Sequence, residues 1–487
     1  MKMVCSSASD SYEVGTRECP VIARLNHADV GVSGSTTSVR LRHMGIGGSE
    51  DLKENGLSIS AEDYLRLRLT SRNASERFGV SESVCNNNND CNANVSYGDK
   101  GVESICNNYY LKENSVGDFN YEKLSPRLKE LLEGLNEPGD SSNQPVQPEW
   151  LDRELFDRGR SFYQKFLFCI FFSDLLSLLM AFSMNRIIKP LIYTDKSDTP
   201  TRALRRYVST IMHIITWFSG DVWDPNDRAH KDILHVRNIH NNAAGIFNSS
   251  ENYNEVQRTN VRSKGHVEPK CPFSPSLRQD LQMQAEPGIC LESPANPPLY
   301  ISQWDMVLTQ YCFLGIMLAH PRSMGAWGAT ERDLEGFVHF WRGIGWLLGI
   351  EDKYNFCKGT AAETKALCAE IERLVIIPNL SRSGWNQEHM SSSLMDGINM
   401  MVPGLSYPAM LRFLADTLGL SVPLFVRNMS LRHIVQYWLM YFVFHFVFMI
   451  PGVVYFFNGL LRYALRRIQR IHPSWFPESR KVIFADT

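Results

Sequence analysis

The stretch 226–247, NDRAHKDILHVRNIHNNAAGIF, decides how the chain is read. Its apolar residues recur at three- and four-residue spacing, which predicts a helix with Asn226 as a candidate N-cap. His230, His235 and His240 stand five residues apart. On a helix each step of five turns through about 140°, so the three imidazoles cannot jointly chelate one ion. The HExxH pattern is also absent, which removes the helix-borne zinc protease class. Most lone helical histidines are satisfied surface or core residues. What singles out His240 is the loss of bulk that follows it, in Ala243, Ala244 and Gly245, with Ala244 one turn away on the same face.

Outward from this helix the same periodicity predicts further helices over 155–189, 200–219, 302–320, 330–349, 361–375 and 407–417. Strictly alternating runs are few, so the expected fold is mainly α. Thr199 is a candidate N-cap followed by Pro200, which suits a first helical turn. Thr330 and Asp333 have the spacing of a capping box. Within the 200–219 helix, Arg206 and Thr210 are four apart and share a face, whereas Arg205 points elsewhere. The stretch 251–297 is polar and proline-rich and reads as a long surface loop.

Residues 1–145 differ in character. Runs such as GVSGSTTS and CNNNNDCN carry little apolar periodicity, so this region is expected to be disordered, with a short helix near YEKLSPRLKELLEGL. A proline-rich boundary follows at 137–150. The expected division is a disordered region over 1–145, a helical domain over 146–430 and a hydrophobic segment with a basic tail over 431–487.

Composition narrows the function classes. The 487 residues are 44% hydrophobic, and the net charge of −2 gives no electrostatic reason to expect nucleic acid. The 11 cysteines show neither a CxxC pair nor an even framework, so reduced thiols in a cytosol-facing protein are expected. The first residues, MKMVCSSASDSYEVG, lack the apolar core of a secretory signal.

Two segments could meet a bilayer. In 166–184, FLFCIFFSDLLSLLMAFSM, 11 Phe, Leu and Ile residues favour insertion by roughly 4 to 5 kcal/mol, but Asp174 returns about 3. A buried core helix is the better reading there. In 438–457, WLMYFVFHFVFMIPGVVYFF, there are 12 Phe, Val, Leu and Ile residues and no charged ones, and the length suffices for a transmembrane helix. Membrane contact is therefore expected at 438–457. The break at Pro451-Gly452 would let the segment dip in and return, leaving both ends on the cytosolic side.

A metal held by one histidine needs a planar partner that tolerates close approach to the helix. A porphyrin suits the small residues beside His240, and Ala244 would lie against it. Arg237, three residues earlier, could reach a propionate. A neutral imidazole would bind the iron. His339 is a rival ligand, although packing within its helix accounts for it equally well. Gly345 and Gly349 permit close approach of a helix or a flat ligand.

Taken together, these stretches resemble the catalytic domain shared by the endoplasmic-reticulum-bound oxygenase mpaB and the bacterial rubber oxygenases, the latex-clearing proteins. The resemblance runs from about Phe156 to about Val426. It is carried by RGRSFYQKFLFCIFFSDLLSLLMAFS, RRYVST, VRNIHNNAA, SQWDMVLTQYCFLG and ERDLEGFVHFWRGIGWLLGI in that order. It implies a helical domain around a noncovalent haem b with His240 as the iron ligand, and Arg206 and Thr210 on the opposite side of the haem as catalytic residues. No CxxCH is present for covalent attachment. The resemblance further implies use of O2 to cleave a C=C bond in a lipophilic, isoprenoid-like substrate, in a membrane-associated protein of the endoplasmic reticulum. Two positions depart from it. The rubber-cleaving members carry a lysine just before the distal threonine, where this chain has Ser209. They also carry an acid upstream of the distal arginine, and neither Asp174 nor Asp195 matches it. Rubber itself is therefore not implied as substrate. A haem-binding sensor or carrier, or a membrane-associated scaffold without haem, are the competing functions.

Overall fold

The computed structural model describes residues 121–270, 272–289 and 299–475. Residues 1–120 of the expected disordered region lie outside the described residues. Among the described residues the fold is helical. The extended pairing seen is an isolated bridge between Pro138 and Ser302.

The helical body begins before the expected boundary at 146. Helix α1 (Pro126–Glu133) is capped by Ser125, whose hydroxyl accepts from Leu128 N. It buries Leu128, Leu131 and Leu132. Three leucines on one stripe of a short helix bury more apolar surface than the polar flanks suggest. After it, Asp140 pairs with Arg237 and its backbone lies against Gly349.

The helical segment expected over 155–189 comprises three helices: α2 (Arg153–Lys165), α3 (Leu167–Ala181) and α4 (Asn185–Tyr193). The first two meet at 87°. Asn458 secures this corner. Its Oδ1 accepts from Phe168 N at 2.9 Å, and its Nδ2 donates to the carbonyls of Gln164 and Lys165. One buried amide thus satisfies groups that the two helix ends leave open. Helix α3 is buried nearly all round, so 166–184 is core. Burial without a partner for Oδ1 pushes the Asp174 carboxyl well above the usual carboxylate range, which keeps it neutral.

Two long helices follow. Helix α5 (Pro200–Ser219) starts as expected at Thr199-Pro200, although the Thr199 side chain makes no capping bond. Helix α6 (Arg228–Phe247) is capped by Asp227, not Asn226. The polar stretch after it is less loop-like than expected. It contains α7 (Tyr253–Arg258) and α8 (Ser274–Gln282), and it tucks Val256, Val261, Leu277 and Leu281 into the interior. A few apolar residues spaced for burial outweigh the polar majority.

Helices α9 (Gln303–Ala319) and α10 (Glu331–Leu347) form the centre, each opened by a capping box. Helix α9 packs on α3, and α10 packs on α2. The α2–α10 crossing is close because Gly159 faces Gly336, where an added Cβ on Gly159 would come within 2.2 Å of the Gly336 carbonyl oxygen. Then come α11 (Ala361–Ile371), a π turn at Glu372–Ile376, and α12 (Ile377–Leu380). Helix α13 (Trp385–Asn399) lies along α5 and was not anticipated, its polar serines masking the buried Met390, Leu394 and Ile398. Helix α14 (Tyr407–Thr417) has the expected bounds, and α15 (Pro423–Arg427) is short.

The hydrophobic 438–457 stretch is not one transmembrane helix. Helix α16 (Leu431–His445) ends inside it, and α17 (Val453–Ile471) also begins inside it, after Gly452 at φ 86°. No single described helix is long and apolar enough to cross a membrane. The break falls at Pro451-Gly452 because proline cannot continue a helix and glycine alone takes that φ without strain.

Candidate functional site

Helices α5 and α6 pack as neighbours. Arg206, Thr210, His213 and Trp217 recur at i, i+4, i+7 and i+11 along α5, which places them on one stripe. From α6, Asp232 meets the far end of that stripe. It accepts from His213 Nδ1 at 2.9 Å and from Trp217 Nε1 at 2.9 Å. Since an ionised carboxylate only accepts, the His213 proton sits on Nδ1 and leaves Nε2 as the other functional nitrogen. Two turns further along α6 stands His240, whose neighbours include Arg206 and His213. The helices therefore run antiparallel, with Asp232 opposite the later part of α5 and His240 opposite the earlier part.

His240 is unusual in two respects. Its Nδ1 is buried, and it has no hydrogen-bond partner. Burial first, then Arg206 and His213 nearby, lower its pKa to about 4, so the imidazole is neutral at physiological pH. A buried polar atom left without a partner costs about 1–3 kcal/mol, and such a cost points to a ligand or a working group. Of the small residues after His240, Ala243 packs against the cluster of Phe247, Val256 and Tyr300, Ala244 is half-buried, and Gly245 is exposed.

Arg206 is half-buried, and no carboxylate pairs with it among the described residues. Thr210 is also half-buried, and its hydroxyl donates to the Arg206 carbonyl at 3.2 Å. Arg237 is placed differently from the propionate role considered for it. Its guanidinium is buried against Asp140 and Asn143, with Nε donating to Asp140 at 2.9 Å and Nη2 to Asn143 at 2.9 Å. Those contacts lower the Asp140 pKa despite burial, which acts the other way.

His339 and His230 serve structure. His339 Nε2 accepts from Asp152 N at 2.9 Å beside the start of α2, which fits packing rather than ligation. His230 Nδ1 lies 2.7 Å from the Val222 carbonyl. Gly345 and Gly349 admit Gln310 and Asp140, not a flat ligand. No group of three or more metal-capable side chains occurs among the described residues.

The donor chemistry suits a haem: one neutral, half-buried imidazole with an unpartnered buried Nδ1, small residues after it, and a guanidinium nearby with no acidic partner among the described residues. His213, Asp232 and Trp217 were not singled out from the sequence. The signal was present in the heptad-like recurrence after Arg206, but His213 has no meaning until Asp232 is brought across from the next helix.

The class defined by this arrangement is an all-helical protein with an imidazole–guanidinium cluster between two antiparallel helices. Compared with known proteins, the chain matches no protein-family profile and no curated protein. Among solved structures it is similar to latex clearing protein in its closed state, with a TM-score of 0.43, 18% sequence identity, and coverage of 71% of this chain and 80% of that chain.

Proposed function

We propose that the α5–α6 pair binds haem b through His240 and that the protein is a haem-dependent oxygenase acting on a lipophilic alkene. One observation carries the reading: the neutral, half-buried His240 has a buried ring nitrogen without a hydrogen-bond partner and lies near Arg206, which has no acidic partner among the described residues. The sequence resemblance set out above supplies the reaction class. When bound, the haem would supply activation of O2 for oxidative cleavage of a C=C bond.

The chain's own residues have distinct tasks in this account. His240 offers a lone pair without first losing a proton, because its environment keeps it neutral. Arg206 presents N–H donors with no competing carboxylate among the described residues, so it could stabilise negative charge developing beside it, worth about 1.5–3 kcal/mol in a dry site. Thr210 uses its proton on the Arg206 carbonyl and keeps its lone pairs for a donor in the site. Asp232 fixes the His213 ring, so that Nε2 can accept or return a proton next to Arg206 and His240. Arg237 is occupied by Asp140 and serves the scaffold.

The test is reconstitution of the purified full-length chain with haemin, followed by oxygen uptake with an isoprenoid alkene. Arg206→Ala should retain the Soret band and lose turnover by about a hundredfold. A Soret band without oxygen uptake in the wild type would make the protein a haem sensor or carrier. Failure to bind haemin would leave a helical scaffold.

A further inference from the structure

The outer faces of α16 and α17 are the largest anomaly outside the α5–α6 site. Each helix has an inner stripe seated on the body. From α16, Tyr437, Met440 and Phe444 are buried, and from α17, Val454, Asn458, Leu461, Leu465 and Ile468 are. Their outer stripes are apolar as well. On α16, Val435, Trp438 and Phe442 stand at i, i+3 and i+7, and Trp438 is 57% exposed. On α17, Phe456, Leu460 and Tyr463 stand at i, i+4 and i+7, and Phe456 is 69% exposed. The turn between them exposes Phe446, Met449 and Ile450. A run this long is no scatter of single surface residues and marks an interaction surface.

Charge identifies the occupant. From Met429 to Trp475 there is no aspartate or glutamate, while Arg432, Arg462, Arg466, Arg467 and Arg470 are present. Arg467 and Arg470 continue the exposed stripe of Phe456, Leu460 and Tyr463 in register, and both are exposed. The outer face thus passes from aromatic and aliphatic to cationic over about 16 Å of helix. That sequence suits acyl chains beside anionic headgroups, with Trp and Tyr at the boundary. A second copy of the chain fits less well, because an isologous contact would oppose two basic segments that hold no acid.

We propose that the α16–α17 pair seats the protein on an anionic lipid bilayer, entering one leaflet without crossing it. This does not depend on haem binding. The pair is fixed to the domain by Asn458 at the α2–α3 corner, and Gln469 Nε2 reaches Met212 Sδ at 3.6 Å, beside His213 on α5. The lipid-facing helix therefore touches the helix that carries the candidate site, which suits entry of an apolar substrate from the bilayer.

The test is vesicle flotation of the full-length chain with phosphatidylcholine alone or with added phosphatidylserine. The expected result is recovery with the phosphatidylserine vesicles, weakened by high salt and much weaker with phosphatidylcholine alone. Phe442→Glu/Phe456→Glu should lower recovery at least tenfold with unchanged helical circular dichroism, since both side chains are exposed. Arg467→Glu/Arg470→Glu should remove the preference for phosphatidylserine. A C-terminal tag should stay open to protease added outside the vesicles. The proposal is overturned by absence of flotation, by flotation indifferent to the phenylalanine substitutions, or by a protected tag. A dimer that forms without lipid and is broken by Phe442→Glu/Phe456→Glu would instead assign the face to a second copy.

Discussion

His213 Nδ1 donates to Asp232 across the α5–α6 contact at 2.9 Å, and the same carboxylate accepts from Trp217 Nε1. This bond joins the two helices next to the cluster that holds Arg206 and His240. Replacing Asp232 by Ala leaves two donors without an acceptor in a mostly buried place. The variant should lose about 1–3 kcal/mol of stability in urea unfolding. Asp232→Asn keeps an acceptor for one donor and should lose less. Equal losses in both variants would show that the carboxylate is not what holds the helices there.

Acid should act on His240 in a defined window. Its folded pKa of about 4 lies below the ordinary 6.5, for reasons of burial first and then Arg206 and His213. The unfolded chain therefore takes up a proton below pH 6.5 that the folded chain refuses until about pH 4. Stability falls as the pH drops through that interval, by a total of about 3 kcal/mol from this residue. Above pH 6.5 the group contributes no slope. His240→Ala removes the effect, so the stability gap between variant and wild type should shift in the variant's favour between pH 6.5 and 4. An unchanged gap would place His240 in water rather than inside.

Arg237 separates two readings of one side chain. In the structure it binds Asp140 and Asn143, tying the segment after α1 to α6. Arg237→Ala should therefore cost about 2–4 kcal/mol, because a partly buried Asp140 loses its counter-charge. Its haemin affinity, measured by titration below the unfolding midpoint, should change little. A large loss of affinity with stability intact would restore the propionate role.

The α2–α10 crossing can be tested without touching the site. Gly159→Ala places a methyl group within 2.2 Å of a backbone carbonyl that cannot swing aside. Overpacking of this kind costs about 1–3 kcal/mol, more than the roughly 1 kcal/mol that alanine gains in a helix. The variant should melt at lower temperature than wild type. A rise in melting temperature would mean that the two helices are free to separate.

The sequence made the helical class plain, because periodicity is local and survives without tertiary context. The bounds of α5 and α14 and the capping box at Thr330 were readable for the same reason. What stayed hidden depended on partners far away in the chain. The α2–α3 corner is set by Asn458, some 290 residues on. The start of the body at α1 depends on leucines whose burial no neighbouring residue announces. Arg206 and Thr210 on one face of a helix were legible from spacing, while His213 needed Asp232 from the next helix to give it a partner. The pairing of Arg237 with Asp140 was not legible because Asp140 lies in a segment expected to be disordered.

The most direct measurement is a pyridine haemochrome assay on the full-length chain after incubation with haemin and removal of the excess, run beside His240→Ala. The account predicts a single haem b per wild-type chain and none retained by the variant, with both giving the same helical circular dichroism. A wild-type chain that keeps no haem, or a variant that keeps as much as the wild type, would contradict it.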